Sequence, residues 1–230
     1  MTTKAVKLAL IEMLQTGTTT FNDMYNPNGV EIGQIYEVVA RSKMRCYFSP
    51  TLFSSDVETA EETLARTRVI IEKILSYNDD RFKVMVAPHA PYSCSKDLLK
   101  GSLELARELQ LKLHIHVAET QAENGIILER YGKRPLAFLK ELGYLEHEGI
   151  FAHGVELNER EIAELTASKI HIAHNPISNL KLASGIAPVT DLIQAGVTVG
   201  LATDSVASNN NLDMFEESRT AALLQKNAHR

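Results

Sequence analysis

A chain of 230 residues, 44% of them hydrophobic, can fill a sizeable core and is long enough for one large domain or two small ones. Its 24 Lys and Arg against 29 Asp and Glu leave a net charge of −5 with no long run of one sign, which excludes the usual footprint of a nucleic-acid or acidic-membrane binder. No apolar stretch reaches the roughly 20 residues of a membrane span. Residues 1–16 lack the basic start and small-residue cleavage site of a secretory signal. Cys46 and Cys94 form no Cys-x-x-Cys pair and no disulfide framework, so the expected location is the reducing cytoplasm.

The apolar spacing predicts a helix over Thr3–Gln15, closed by Gly17, and then a strand near Thr18–Met24. A turn at Asn26-Pro27-Asn28-Gly29 leads to a helix over Glu31–Lys43. Strands near Arg45–Phe53, Arg81–Pro88 and Leu111–Val117 are followed by helices over Val57–Tyr77, Ser95–Leu109 and Gln121–Leu142. The last three pairs are Gly149–His153 with Asn158–Ser168, Lys169–His174 with Ile186–Ala195, and Val197–Thr203 with Leu212–Gln225. Asn158 and Glu161 read as a capping box, and Gly196 as a glycine just past a helix end.

Strict alternation of strands and helices demands parallel strands joined by helical crossovers. Asp23, His89, His116, His153, His174 and Asp204 all fall at strand C-termini, on different strands, which selects a (β/α)8 barrel over an open sheet with one switch point. No Gly-x-Gly-x-x-Gly or Walker-type loop follows the first strand. Because a helix precedes the first of only seven strands, the expectation is a single, incomplete α/β barrel domain over residues 1–230 whose first strand is absent.

In Leu113-His114-Ile115-His116-Val117-Ala118-Glu119 the two histidines share one face of a strand and Glu119 follows its end. His153 and Asp204 close two later strands. Imidazole with carboxylate is a usual shell for zinc or iron, and such a site with an open position makes hydroxide near neutral pH. A lone strand histidine is more often a core residue than a ligand, so the weight rests on four strand ends together. His114, deeper in its strand, is read as filling the interior. His171 is placed on the face opposite His174, under the helices, and His147 and His229 on the surface.

Five stretches then resemble one family: residues 17–25 (Gly-Thr-Thr-Thr-Phe-Asn-Asp-Met-Tyr), 87–93 (Ala-Pro-His-Ala-Pro-Tyr-Ser), 116–120 (His-Val-Ala-Glu-Thr), 174–182 (His-Asn-Pro-Ile-Ser-Asn-Leu-Lys-Leu) and 203–210 (Thr-Asp-Ser-Val-Ala-Ser-Asn-Asn). In order and over the whole chain they resemble the amidohydrolase superfamily, in its methylthioadenosine/S-adenosylhomocysteine deaminase and chlorohydrolase group. The resemblance implies a metal-dependent hydrolase barrel with a flanking β-sandwich, the sandwich being absent from this chain. It implies that His116 and Asp204 bind one divalent metal, zinc or iron. Glu119 would move a proton onto the substrate ring, Asp204 would also orient the hydroxide, and His153 would stand beside the nucleophile. His89 would contact substrate, while Asn179 and Lys181 would shape a loop with no chemical role. The family takes further ligands from a His-x-His on its first strand, which is not found here. Ser49-Pro50-Thr51 occupies the region where some of these deaminases present an arginine to substrate.

The expected activity is hydrolytic deamination of an aminopurine nucleoside such as methylthioadenosine, S-adenosylhomocysteine or adenosine, by metal-bound hydroxide. The alternatives are a chlorohydrolase acting on an s-triazine-like ring, and a catalytically inert barrel fragment. A small heteroaromatic substrate is the expected partner, with no nucleic acid and no membrane. A missing strand would leave open edges, so a homo-oligomer is expected.

Overall fold

A computed structural model describes residues 2–26, 29 and 31–228, and so leaves His229 and part of the Asn26–Gly29 turn outside the described residues. The chain divides into two compact units, residues 1–89 with 94–111, and residues 90–93 with 112–230. Among the described residues no helix is long and apolar enough to cross a membrane.

The first unit runs α1 (Thr2–Gln15), β1 (Thr20–Tyr25), α2 (Ile32–Ser42), β2 (Arg45–Leu52), α3 (Ala60–Leu75), β3 (Phe82–Lys83), β4 (Ala87–Pro88) and α4 (Lys96–Glu108). All its strand pairs are parallel, with β2 joined to β1, β3 and β4. Helix α3 begins later than the expected Val57 because Thr59 caps it: Thr59 Oγ1 accepts from Glu62 N–H and the Glu62 carboxylate accepts from Thr59 N–H. The single strand expected over Arg81–Pro88 is instead two short ones. Between them Met85 N–H donates to the Ser49 hydroxyl at 3.0 Å rather than to a strand carbonyl, which interrupts the ladder.

The second unit runs β5 (Leu113–Val117), α5 (Gln121–Tyr131), α6 (Pro135–Glu141), a 3-10 turn (Tyr144–Glu146), β6 (Gly149–His153), α7 (Glu159–Thr166), β7 (Ile170–His174), α8 (Pro176–Lys181), α9 (Val189–Gln194), β8 (Val199–Leu201) and α10 (Met214–Ala228). Its four strands form a parallel sheet in sequence order. The helix expected over Gln121–Leu142 is broken in two. Gly132 takes a left-handed φ of 67°, and Arg134 is extended ahead of Pro135, which starts α6. Strand β8 is shorter than expected because Val197 N–H bonds back to Leu192 O at the end of α9.

The packing of this sheet fixes everything downstream. Leu113, Ile115 and Val117 are essentially fully buried on one face of β5, and Val117, Phe151 and Ile172 meet Leu136, Leu157 and Leu165 in an apolar layer. His114, buried, lies on the other face, as expected of a residue filling the interior. His171 does not lie under the helices. The register aligns it with Ile150 and His114, away from the covered face of Ile170 and Ile172, and its side chain is exposed. His147 is half-buried and engaged, not a free surface residue.

At Gly149, paired with Leu113, an added Cβ would lie 2.8 Å from the Leu113 carbonyl oxygen. Gly149→Ala should therefore lower stability by about 1–3 kcal/mol, the usual cost of forcing extra volume into a packed site. Urea denaturation checks this, and an unchanged midpoint would mean that the strands part without cost.

Candidate functional site

The parallel register sets the ends of β5 to β8 side by side. His116 aligns with Ala152 and Val117 with His153, while His174 aligns with Leu201 just before the loop that carries Asp204. The ladder continues past the strands: Gly154 N–H donates to Val117 O, Glu156 N–H to Ala118 O, and Ala202 N–H to His174 O. The loops are thus held where the sheet leaves them.

Three non-glycine residues at these ends adopt left-handed backbone, Ala118 with φ 53°, His153 with φ 74° and Asp204 with φ 60°. Strand parity alone would send His153 to the helix-covered face with Val117. The left-handed turn departs from that pleat, and the His153 ring lies 5.3 Å from that of His116, centroid to centroid. His153 Nε2 is 3.8 Å from Glu119 Oε2. Backbone in this region costs of order 1–3 kcal/mol per residue, and such residues cluster at functional sites.

Two carboxyls in this cluster are held in opposite states. Burial pushes the Glu119 carboxyl up, with His116 opposing and Asp204 reinforcing. Burial also pushes Asp204 up, but hydroxyls from Ser178 at 2.6 Å and Ser208 at 2.7 Å and the Ser205 N–H at 2.7 Å outweigh it, and Asp204 stays below the ordinary carboxylate range. Burial holds His153 below the ordinary imidazole value despite its bond to Asn179, and it pushes His114 down to about 3 and His174 down to about 4. His116, on the same strand as His114, is half-buried.

Comparison with known proteins matches residues 2–230 to the amidohydrolase family. The chain belongs to the amidohydrolase family. A 5-methylthioadenosine/S-adenosylhomocysteine deaminase of Bacillus cereus is 47% identical over 98% of this chain and 52% of its own length, and that of Bacillus cytotoxicus is 46% identical over the same shares. The chain thus spans about half the length of the curated relatives it matches. Among solved structures, a zinc-bound adenosine deaminase from Xanthomonas campestris superposes with a TM-score of 0.89 at 34% identity, over 99% of this chain and 51% of that one. A zinc complex of atrazine chlorohydrolase from Arthrobacter aurescens gives 0.89 at 23% identity, over 99% and 54%, which shows the fold alone. The fold is accordingly the α/β barrel type of this amidohydrolase family.

Within the second unit the structure brings together His116, Glu119, His153 and Asp204. His89 belongs to the first unit, at the end of β4, its ring 4.5 Å from that of Phe53. Asp23 also lies there, in β1, and burial raises its carboxyl to about 6. The imidazole of His116 and the carboxylate of Asp204 have the donor chemistry that zinc or iron prefers. Among the described residues, however, no three His, Cys, Asp or Glu side chains are grouped as a metal shell.

Several residues escape a reading by motif. Ser178 and Ser208 clasp Asp204. Glu217, fully buried on α10, accepts from Ile177 N–H and from Asn209, whose amide also donates to Thr203 O. Lys181 reaches the Ala207 carbonyl and Asn210. Ser178, Lys181 and Glu217 with Asn209 join α8 to the Asp204 loop, and Ser208 braces that loop from within. The buried Glu123 accepts from Glu119 N–H at 2.8 Å, a bond foreshadowed only by the Thr120-x-x-Glu123 spacing of a capping pair.

Burial raises Glu123 from 4.5 to about 7. Across that window the unfolded chain has lost the proton that the folded chain keeps, so this group makes stability fall as pH rises from about 4.5 to 7. In Glu123→Gln the amide fills the place of Oε1, which has no partner. The variant should lose less stability than the parent between pH 5 and 7, by roughly 1–3 kcal/mol. Denaturant titration at both values checks this, and equal losses would show that Glu123 ionises normally.

Proposed function

We propose that the protein acts as a hydrolase of C–N bonds, deaminating an aminopurine nucleoside of the methylthioadenosine, S-adenosylhomocysteine or adenosine type. The observation that carries this reading is the cluster at the strand ends, His153 Nε2 3.8 Å from Glu119 Oε2 and its ring 5.3 Å from that of His116, in which burial pushes the Glu119 carboxyl up while hydrogen bonds hold Asp204 down. Environments that drive two titratable groups apart assign one as acid and the other as base. The deaminase relatives at 47% and 46% identity support the reaction class, and the zinc-bound adenosine deaminase at 34% supports a divalent metal.

In this reading His116 and Asp204 would hold one divalent metal, zinc or iron, which would acidify a water to near neutral pH. Glu119, its carboxyl pushed up by burial, would donate to the ring nitrogen beside the carbon that bears the amino group. Asp204 and His153 take the proton released as water adds to that carbon. The same proton leaves with the amino group as ammonia, and the second proton of the added water returns to Glu119 as the ring carbonyl forms, so amine and water become carbonyl and ammonia with Glu119 restored. His89 is proposed to contact the substrate. Cys46 and Cys94, both buried and neither in a disulfide, suit a cytoplasmic setting.

Two protein ligands fall short of the three that a catalytic zinc normally keeps. The dialysed 230-residue protein should therefore retain less than one zinc or iron per chain, and elemental analysis showing a full equivalent would require a third ligand from elsewhere.

Turnover is tested with zinc in excess, both on this chain and on a fusion to the portion of the Bacillus cereus relative that it does not match. Ammonia release from at least one of the three nucleosides is expected, and Glu119→Gln should lower it at least ~10²-fold with zinc content unchanged. No release from any of them, or near-normal release by the variant, overturns the reading.

A further inference from the structure

We propose that Asn179 is a positioning residue: its side-chain oxygen fixes His153 as the Nδ1–H tautomer and thereby aims an unprotonated Nε2 toward Glu119. The functional meaning rests on the deaminase reading, while the geometry does not. Asn179 Oδ1 lies 2.9 Å from His153 Nδ1, and the two residues are 1% and 2% exposed. A carboxamide oxygen can only accept, so Nδ1 must supply the hydrogen. A neutral imidazole has one ring hydrogen, and Nε2 is then left with its lone pair, 3.8 Å from Glu119 Oε2.

Packing alone does not explain this asparagine. Its Nδ2 is buried without a hydrogen-bond partner, a burden that a leucine of similar volume would not impose. The amide is nonetheless held firmly: Asn179 N–H donates to Asn175 O at 2.9 Å, and Asn179 O accepts from Ser184 N–H at 2.8 Å. The Pro176 start of α8 fixes the turn from which it projects. Through this contact the α8 motif bears on two groups at once, Ser178 on Asp204 and Asn179 on His153. With Nε2 unprotonated, His153 can accept the proton that leaves the attacking water. With the other tautomer it could not.

The experiment is nitrogen NMR of the histidine-labelled 230-residue chain near neutral pH, with the His153 signals identified by their loss in His153→Gln. The expected result is a hydrogen on Nδ1 and a bare Nε2. Asn179→Asp, which keeps an acceptor at the same place, should retain that pattern, and Asn179→Leu should lose it. A hydrogen on Nε2 in the unaltered protein overturns the inference outright, whether or not the variants fold. An unchanged pattern in a folded Asn179→Leu overturns it too. Ammonia release plays no part in this readout, so a protein with the expected tautomer and no turnover would sink the deaminase reading and leave the tautomer assignment standing.

Discussion

The site depends on backbone that leaves the strand geometry at the right residue. A strand holds its side chains to alternate faces, so a sheet by itself cannot gather consecutive strand ends onto one cluster. Left-handed turns at Ala118, His153 and Asp204 release the chain from that alternation where β5, β6 and the β8 loop end. Each is a non-glycine residue in a costly region, and each persists because its surroundings over-determine it. Ala118 is flanked by Val117, buried in the apolar layer, and its carbonyl takes the Glu156 N–H. His153 is pinned by Asn179, and Asp204 by two serine hydroxyls. The apolar side of the sheet thus makes the polar side possible.

The electrostatics follow from the same enclosure. Desolvation alone would neutralise both carboxyls. Glu119 is left to that effect, whereas Asp204 receives enough hydrogen bonds to remain an anion. Charge acts on both, His116 lowering and Asp204 raising Glu119 while His153 lowers Asp204. The larger difference is the set of donors, Ser178, Ser208 and Ser205 on Asp204. Helix α8 matters for this reason: it is only one or two turns long, yet it provides Ser178 to Asp204 and Asn179 to His153. The buried His174, with neither ring nitrogen bonded, shows how few donors the remaining space holds.

Much of this was legible in the sequence. Alternating apolar runs placed the strands and helices, and Gly149–His153 was located to the residue because Gly and His bound a compact apolar run. The Asn158 and Glu161 capping box formed as its spacing required. The failures have local causes. Gly132 and Pro135 split one expected helix, since the amphipathic pattern runs across both halves and hides the break. Helix α8 was read as a motif within a loop, because six residues opening with Asn-Pro give no periodicity to detect. Counting from His174 puts His171 on the opposite face and the register beside Ile150 keeps it there, but the count does not tell which face the helices cover, so the expected place under them fails. Ser178 and Asn179 stood in a quoted motif, but their partners are 26 residues away in each case, beyond any local pattern.

Substrate choice is the step least served by the family alone. In the first unit the stretch Ser49-Pro50-Thr51 stands where some deaminases of this type present an arginine. Both hydroxyls are committed to the protein's own backbone, Ser49 to Met85 N–H and Thr51 to Tyr25 O, and both side chains are buried. Pro50 offers no donor. This stretch carries no positively charged side chain to meet the carboxylate of the amino-acid tail of S-adenosylhomocysteine. A nucleoside with an uncharged tail, such as methylthioadenosine, or with none, such as adenosine, makes no demand on it. The preference within the proposed substrate class should then lean toward those smaller nucleosides, because the purine ring chemistry at Glu119 and Asp204 is common to all three and cannot discriminate among them.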